Sequence, residues 1–358
     1  MKSTMGETAL DWAMKFGSRA TEDILKAAGA QNGEPYRAPV LKAAVSRTPK
    51  QAVDSALGLM QQSTAEFFKQ SGCVGCHHQP ITLMAASAAK ASGLAGAGAE
   101  KDLVAAIEAL EIRGEERQLE RVQSGGFTDS PSYALFALGM AETAPNSGSD
   151  AAVALIAGAQ HRDGTWRNAG APRAPIEEGV IGRSVMAARA LQKFGVPARK
   201  AEYDERFARL RDWLLAAPAN TNDDHAMLTV GLKWTGASQA RVDAAGKALL
   251  ARQRANGGWS QNNNLESDAY APGESLWALR EAGILTAQTK AYRHGVEFLL
   301  QTQSEDGSWY VRSRAPKFQP YFQSGFPYDH DQWISSAATG YAVMALAPAA
   351  EKQMKASK

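Results

Sequence analysis

Gln-His-Arg-Asp-Gly-Thr-Trp at residues 160–166 returns as Gln-Ser-Glu-Asp-Gly-Ser-Trp at 303–309. A shorter form stands at Asn256-Gly257-Gly258-Trp259 and a weaker one at Gln123-Ser124-Gly125-Gly126-Phe127. Asp-Gly and Gly-Gly are turn formers, because glycine takes a positive φ without steric cost. The aromatic residue that follows can pack back on the helix ends, with a glutamine nearby to bond backbone. Outward from each turn the pattern is constant: an amphipathic segment of helix length runs in, and a segment rich in alanine and other small residues runs out. First members cover roughly 49–70, 101–122, 150–160, 199–217, 237–254 and 288–303; second members cover roughly 80–95, 131–143, 179–194, 223–235, 271–283 and 333–348. The first members carry charge on one face, as Arg206, Arg209, Arg211 and Asp212 do beside Phe207, Leu210 and Trp213. The second members are apolar and small. Six such pairs predict an all-α (α/α)6 toroid, charged helices outside and apolar helices inside.

This pattern resembles the α/α-toroid superfamily of squalene–hopene cyclases and protein prenyltransferase β-subunits. The Gln-x-x-Asp-Gly-x-Trp turns are close to the QW motif of those cyclases, and the resemblance covers about 49–350. It implies the fold more strongly than the chemistry. Class II cyclases protonate their substrate with the middle acid of Asp-x-Asp-Asp. The nearest match here, Thr221-Asn222-Asp223-Asp224, lacks the first aspartate. The prenyltransferase zinc site and the complement-type thioester have no counterpart. The departures argue that the chemistries are not inherited with the fold.

Cys73 and Cys76 are the only cysteines, within Ser-Gly-Cys-Val-Gly-Cys-His-His at 71–78. Cys-x-x-Cys-His is the attachment signature of c-type haem, with His77 placed to ligate iron. A redox pair, half of a zinc site and a structural disulfide are the competing readings; no second Cys-x-x-Cys or His-x₃-His exists to complete zinc. The motif stands where later repeats have their Trp turn. In a six-pair ring the sixth pair adjoins the first, so the long, aromatic-rich connection at about 310–332 is expected to fold over the rim beside Cys73 and Cys76. It carries His330, the favoured sixth iron ligand over His78, Met84, Met60 or no protein ligand at all, and Arg312 and Arg314, which could pair with haem propionates. The expected ligand set is therefore haem c on Cys73 and Cys76, with His77 and His330 on the metal and Arg312 and Arg314 beside it.

Carboxylates gather at the starts of inner helices: Glu177, Glu178, Asp223, Asp224, Asp268 and Glu274. Acids there cap helices and complement the dipole. The functional reading makes Asp223, Asp224 and Asp268 acid–base groups at the mouth of a central cavity.

Residues 6–30 resemble one ankyrin repeat: Thr8, Leu10 and Ala13 match Thr-Pro-Leu-His-x-Ala, with Ala9 for proline and Asp11 for histidine. One repeat cannot bury its apolar face, so the chain is expected to be the C-terminal part of a longer ankyrin-bearing protein or a relative that has lost the rest. The expected organisation is an ankyrin-like helical pair at 1–30, a linker at 31–48, the toroid at 49–350 and a tail at 351–358. A net charge of +2 gives no reason for nucleic-acid binding, and no apolar run is long enough to span a membrane. Haem attachment would require an extracytoplasmic location, with any export signal upstream. The leading function is then haem-based electron transfer or redox chemistry at the barrel rim, with an unidentified redox partner or a small apolar ligand in the cavity. Upstream ankyrin repeats would offer a protein partner. A cyclase- or lyase-like enzyme using inner-ring carboxylates and a non-catalytic binding module are the alternatives.

Overall fold

Helices α1 (Ala9–Lys15) and α2 (Arg19–Ala27) open the chain, and among the described residues thirteen further α-helices and one π-turn follow, arranged in six outer–inner pairs. The structure is a computed structural model that describes residues 1–3, 6–33, 38–72, 74–75, 77–94, 100–121, 128–167, 173–316 and 321–356. The pairs are α3 (Pro49–Ser71) with α4 (Gln79–Ala91), α5 (Glu100–Ile107) and α6 (Glu115–Leu119) with α7 (Asp129–Met140), and α8 (Ser147–Gly158) with α9 (Val180–Phe194). They continue with α10 (Lys200–Leu214) and α11 (Asn222–Trp234), α12 (Gln239–Leu250) and α13 (Tyr270–Glu281), and α14 (Lys290–Thr302) and α15 (Gln332–Ala356). Among the described residues there is no strand, only an isolated bridge between Ala43 and Ser304.

The inner helices close a ring. In chain order α4, α7, α9, α11, α13 and α15 each pack on the next, and α15 packs back on α4. Helix α4 therefore faces α11 across the axis, and α7 faces α13. The inner helices are apolar nearly all round, as a helix with neighbours on every side must be. Alanine and glycine let them approach: a Cβ on Gly340 of α15 would meet Ile81 of α4 at 2.3 Å.

The repeated turn explains how one pair is joined to the next. Trp166, Trp259 and Trp309 are buried, and each indole Nε1 donates to a carbonyl in the last turn of the preceding outer helix: Ile156 at 2.7 Å, Leu249 at 3.0 Å and Leu299 at 2.8 Å. Carbonyls of a last helical turn lack the full i+4 ladder, and here the indole adds to the long local contacts that Ile156 O and Leu249 O have with Ala159 N and Arg252 N, both at 3.2 Å. The glutamine amide works between pairs. Gln160 Nε2 donates to Gly164 O in its own turn and to Arg206 O of α10, both at 3.0 Å. Gln253 does the same to Gly257 O and to Ala291 O of α14. Gln303 bonds Gly307 O at 2.9 Å and Ala52 O of α3 at 3.0 Å, so the sixth pair is tied to the first. Gly307 must be glycine here: its φ is +93°, and a Cβ would meet Ser55 O of α3 at 2.7 Å. Asp306 Oδ1 accepts from Ser308 N and Oγ at 2.9 and 2.6 Å and fixes the turn.

The second outer member departs from the single helix expected at 101–122. It breaks at a π-turn, Glu108–Ile112, and resumes only after Gly114 in the left-handed region at φ +112°. The weak turn copy at 123–127 lies outside the described residues. A helical hairpin stands where the ankyrin-like pair was expected, but its packing partner is the toroid. Lys15 pairs with Glu7 and donates to Ala315 O at 3.2 Å, Asn262 Nδ2 donates to Phe16 O at 3.3 Å, and the Arg314 guanidinium lies 4.7 Å from the Phe16 ring. The long connection before α15 folds against α3: Ser63 Oγ donates to Ser324 O at 2.9 Å, and the Phe67 and Phe322 rings meet edge-on at 5.0 Å.

Gln303 is fully buried, whereas Gln160 is half-buried. Replacing Gln303 with leucine strands two buried carbonyls, and we expect Gln303→Leu to cost about 2–3 kcal/mol against about 1 kcal/mol for Gln160→Leu. Urea unfolding of the two variants measures this, and equal losses would mean that ring closure is not the special contact.

Candidate functional site

The starts of all six inner helices lie at one end of the ring, so the carboxylates that precede or open them are brought together there. Each is held differently. Asp224 is a cap: its Oδ2 accepts from the main-chain N–H of Asn220 and of Thr221 at 3.0 Å, while Thr221 Oγ1 accepts from Asp224 N at 3.1 Å. Asp268 caps α13, accepting from Ala271 N at 3.0 Å and from Gln261 Nε2 at 2.5 Å. Burial pushes it up to about 6 despite those bonds and the nearby Arg314 charge. Glu178 takes a two-pronged bond from Arg314, with Nη1 at 3.2 Å and Nη2 at 2.8 Å, and Arg314 Nε donates to Gln261 Oε1 at 2.6 Å. Arg183 lies 3.2 Å from Asp129.

Asp223 is placed otherwise. It is the second residue of α11, is buried and caps nothing. Its Oδ1 accepts a long bond from the Tyr270 hydroxyl, 3.4 Å, and the same hydroxyl lies 3.3 Å from Glu274 Oε1 of α13. The second oxygen of each acid has no hydrogen-bond partner, nor does the Tyr341 hydroxyl. Burial raises Asp223 well above the usual carboxylate range, helped by the charges of Glu274, Asp224 and Glu178. Glu274 is raised to about 7, chiefly by burial. Two desolvated carboxyls side by side cannot both ionise cheaply, so a proton is retained between them at neutral pH. Such a group is held in the protonated form that a general acid needs at neutral pH.

Aromatic rings surround this pair. Tyr341 of α15 meets Tyr270 edge-on at 5.3 Å and Trp277 at 5.7 Å; Trp277 lies 6.1 Å from Trp234 and 6.3 Å from Phe136. Burial pushes the hydroxyls of Tyr133, Tyr270 and Tyr341 far above the ordinary tyrosine value, so they stay neutral. Their ring faces are electron-rich and attract cations.

The haem expectation is corrected here. His77 is buried with its Nε2 2.6 Å from Glu177 Oε1, and its ring packs against Tyr133 at 5.3 Å and Trp333 at 5.9 Å. Burial alone would raise Glu177, but the His77 charge and hydrogen bond, with Arg173 and Arg183, hold it below the usual range. The imidazole expected on iron is thus engaged by a carboxylate a hundred residues away. His330, expected at the sixth position, lies exposed on a one-turn 3-10 helix (Asp329–Asp331), its ring 4.6 Å from Tyr321. Arg314, expected on a propionate, is committed to Glu178 and Gln261, and Arg312 is half-buried two residues before it. His78 is buried, bonds Ser63 at 3.0 Å, and is pushed down to about 4 by burial. Cys73 and Cys76 lie outside the described residues. Among the described residues no group of three histidine, cysteine or acidic side chains could hold a metal.

No family profile matches the chain, and no curated protein matches it in sequence. Solved structures do match in fold. The type II terpene cyclase MstE from Scytonema, without ligand, is 15% identical with a TM-score of 0.53, covering 84% of this chain and 98% of its own. A variant of MstE with its product, merosterolic acid A, is 15% identical at a TM-score of 0.51, over 83% and 99%. Another variant, with its substrate geranylgeranyl dihydroxybenzoate, is 13% identical at a TM-score of 0.50, over the same shares. The fold shared with those chains is the helical toroid, and electron transfer through haem, with haem c as cofactor, is withdrawn as the reading of this chain.

Sequence reasoning had Asp223 among its acids but missed the rings around it. Tyr270 and Glu274 sit one turn apart on α13, a spacing that puts both on one face; that was the available signal. Because Glu274 is raised from 4.5 to about 7, the folded chain binds more protons than the unfolded one across that window. Stability from this group is complete below about pH 4.5 and lost as pH rises through about 7. From about pH 5 to about pH 8 the wild type should therefore lose on the order of 2 kcal/mol more unfolding free energy than Glu274→Gln. Denaturant melts at the two pH values decide it, and parallel losses would refute the raised acid.

Proposed function

We propose that the chain is an acid-initiated cyclase of isoprenoid alkenes, with Asp223 as the proton donor. The single observation carrying this is the buried Asp223, set beside Glu274 and Tyr270 amid aromatic rings at one end of the inner ring, where burial favours its protonated form. Two facts support it. Asp223 holds the place of the middle acid in Thr221-Asn222-Asp223-Asp224, and the shared toroid is that of enzymes whose substrate, in the one case described, is a geranylgeranyl chain on dihydroxybenzoate.

In this reading the Asp223 O–H adds its proton to a terminal C=C bond. The π pair becomes the new C–H bond, and the adjacent tertiary carbon is left cationic. The π pair of the next alkene attacks that carbon, forms a C–C bond and passes the charge on. Loss of a proton from the final cation to water or a carboxylate restores an alkene, so the sequence is an isomerisation with no redox change. The Asp223 carboxylate left behind accepts from Tyr270, and from Glu274 while that acid is protonated, which lowers the cost of charge separation in a dry site. The rings of Tyr341, Trp277 and Phe136 stabilise the migrating cation electrostatically. The missing first aspartate of the motif is offset by Glu274, which brings the second carboxyl from the neighbouring inner helix. Asp224 and Asp268 act as helix caps that fix the register of α11 and α13.

Incubation with geranyl, farnesyl and geranylgeranyl alcohols in D₂O, followed by extraction and mass spectrometry, tests the reading. The expected product is an isomer carrying one deuterium on the former CH carbon of the terminal alkene, and Asp223→Asn should lower its rate at least about 100-fold. Turnover that survives in Asp223→Asn, or no deuterium in the product, would remove Asp223 as the donor.

A further inference from the structure

The acid pair is shut in: Asp223 is 2% exposed and Glu274 not at all. Away from the carboxylate end the axis is stopped by an aromatic floor. Phe136 of α7 and Trp277 of α13, on opposite sides of the ring, meet at 6.3 Å, and both meet Trp234 of α11, at 5.7 and 6.1 Å. A molecule that reaches Asp223 therefore enters at the carboxylate end, where residues 174–178 lie just before α9.

Among the inner helices α9 packs on α7 and α11, while α4 stands two places away and α15 opposite. Residues 174–178 nevertheless touch chain from both of those sides. Glu177 Oε1 lies 2.6 Å from His77 Nε2, just before α4, and Glu178 accepts from Arg314 in the connection that leads into α15. Between them Ile176 O accepts from the Tyr133 hydroxyl of α7 at 3.4 Å. At Gly179 the chain passes so close to the start of α11 that a Cβ would meet Asp224 Oδ1 at 2.6 Å. A segment held from opposite sides of a ring crosses its opening, and Ala174, Ile176 and Glu177 are buried in doing so.

The main chain of this segment is tied weakly. Glu177 N reaches Arg173 O at 3.3 Å and Glu178 N reaches Pro175 O at 3.5 Å, and the Tyr133 bond is as long; such lengths mark weak bonds. The short contacts are the two ion pairs, at 2.6 and 2.8 Å, whose cationic members are 5% and 2% exposed. Segments fastened by a few side-chain contacts open at lower free energy than the helices around them.

We propose that residues 174–178 are a strap over the mouth of the ring, latched by His77–Glu177 and Arg314–Glu178, whose parting admits the substrate and whose re-forming keeps bulk water from the cation. His77 and Arg314 are thus positioning residues that act on the site through the strap. Water that reached the cation would bond its oxygen to the cationic carbon and lose a proton, giving an alcohol in place of the alkene. The role in product choice rests on the cyclase reading above, whereas the opening itself can be read without turnover.

Dicyclohexylcarbodiimide adds to protonated carboxyls in apolar surroundings and leaves an N-acylurea that peptide mass spectrometry locates. Label on Asp223 and Glu274 should appear slowly in the wild type and at least about tenfold faster in the double variant Glu177→Gln, Glu178→Gln, where both latches lose their charge pairing. Glu178→Gln alone, the milder change should the double variant not fold, should still speed it. Gln303→Leu, which weakens the ring without touching the strap, should stay near the wild-type rate. In the wild type, amide hydrogen exchange at 176–179 should outrun that of α9. Unchanged labelling in the latch variants, an equal rise in Gln303→Leu, or one common exchange rate for strap and helix would overturn the proposal. In the turnover assay the latch variants should release alcohols bearing oxygen from isotopically labelled water. Alkene alone from wild type and variants would overturn the proposal and leave the cyclase reading intact; faster labelling in the variants with no turnover by the wild type would do the reverse.

Discussion

Closing a ring of helical hairpins requires the last pair to recognise the first, and in this chain that recognition is one amide. Gln303 donates to its own turn and to Ala52 of α3, and the bare Cα of Gly307 lets the turn sit against Ser55. The same device at Gln160 and Gln253 joins neighbours within the chain, where sequence proximity already helps. At Gln303 it spans the first and last repeats, so the loop-closure entropy it must offset is that of most of the chain. Once it forms, the inner helices have neighbours on both sides and their apolar surfaces leave water.

The ring in turn makes the site. Inner helices start at one end, so their first-turn acids converge on each other rather than spreading over a surface. Most are then neutralised individually: Asp129 by Arg183, Glu177 by His77, Glu178 by Arg314, Asp224 by main-chain amides. Asp223 and Glu274 are left to one another and to a tyrosine hydroxyl. A buried acid without a cation keeps its proton, and this is the physical difference between a structural carboxylate and a donor. The rings that dry the site also hold its pKa up.

The Cys-x-x-Cys-His reading shows where local pattern misleads. Spacing along the chain says which side chains could reach a common ligand, but it says nothing of competitors brought in from elsewhere. Glu177 reaches His77 from the opening of the third inner helix, and Trp333 packs on the same ring from the start of the sixth. The partial match at Thr221–Asp224 lacks its first carboxylate, and the acid that stands beside Asp223 is instead Glu274, which shares the Tyr270 hydroxyl with it from the adjacent helix α13.

Periodicity and composition were enough to place the six helical pairs, the inner and outer assignments, the Gln–Trp turns and the acid-rich inner-helix starts, since each depends on residues within a few turns of one another. Two features lay beyond them. The protonation of Asp223 depends on burial and on Glu274 together, and the floor depends on Phe136, Trp234 and Trp277 meeting from three sides of a closed ring. The first is set between neighbouring inner helices and the second across the axis, and neither distance is written in the spacing of residues along the chain.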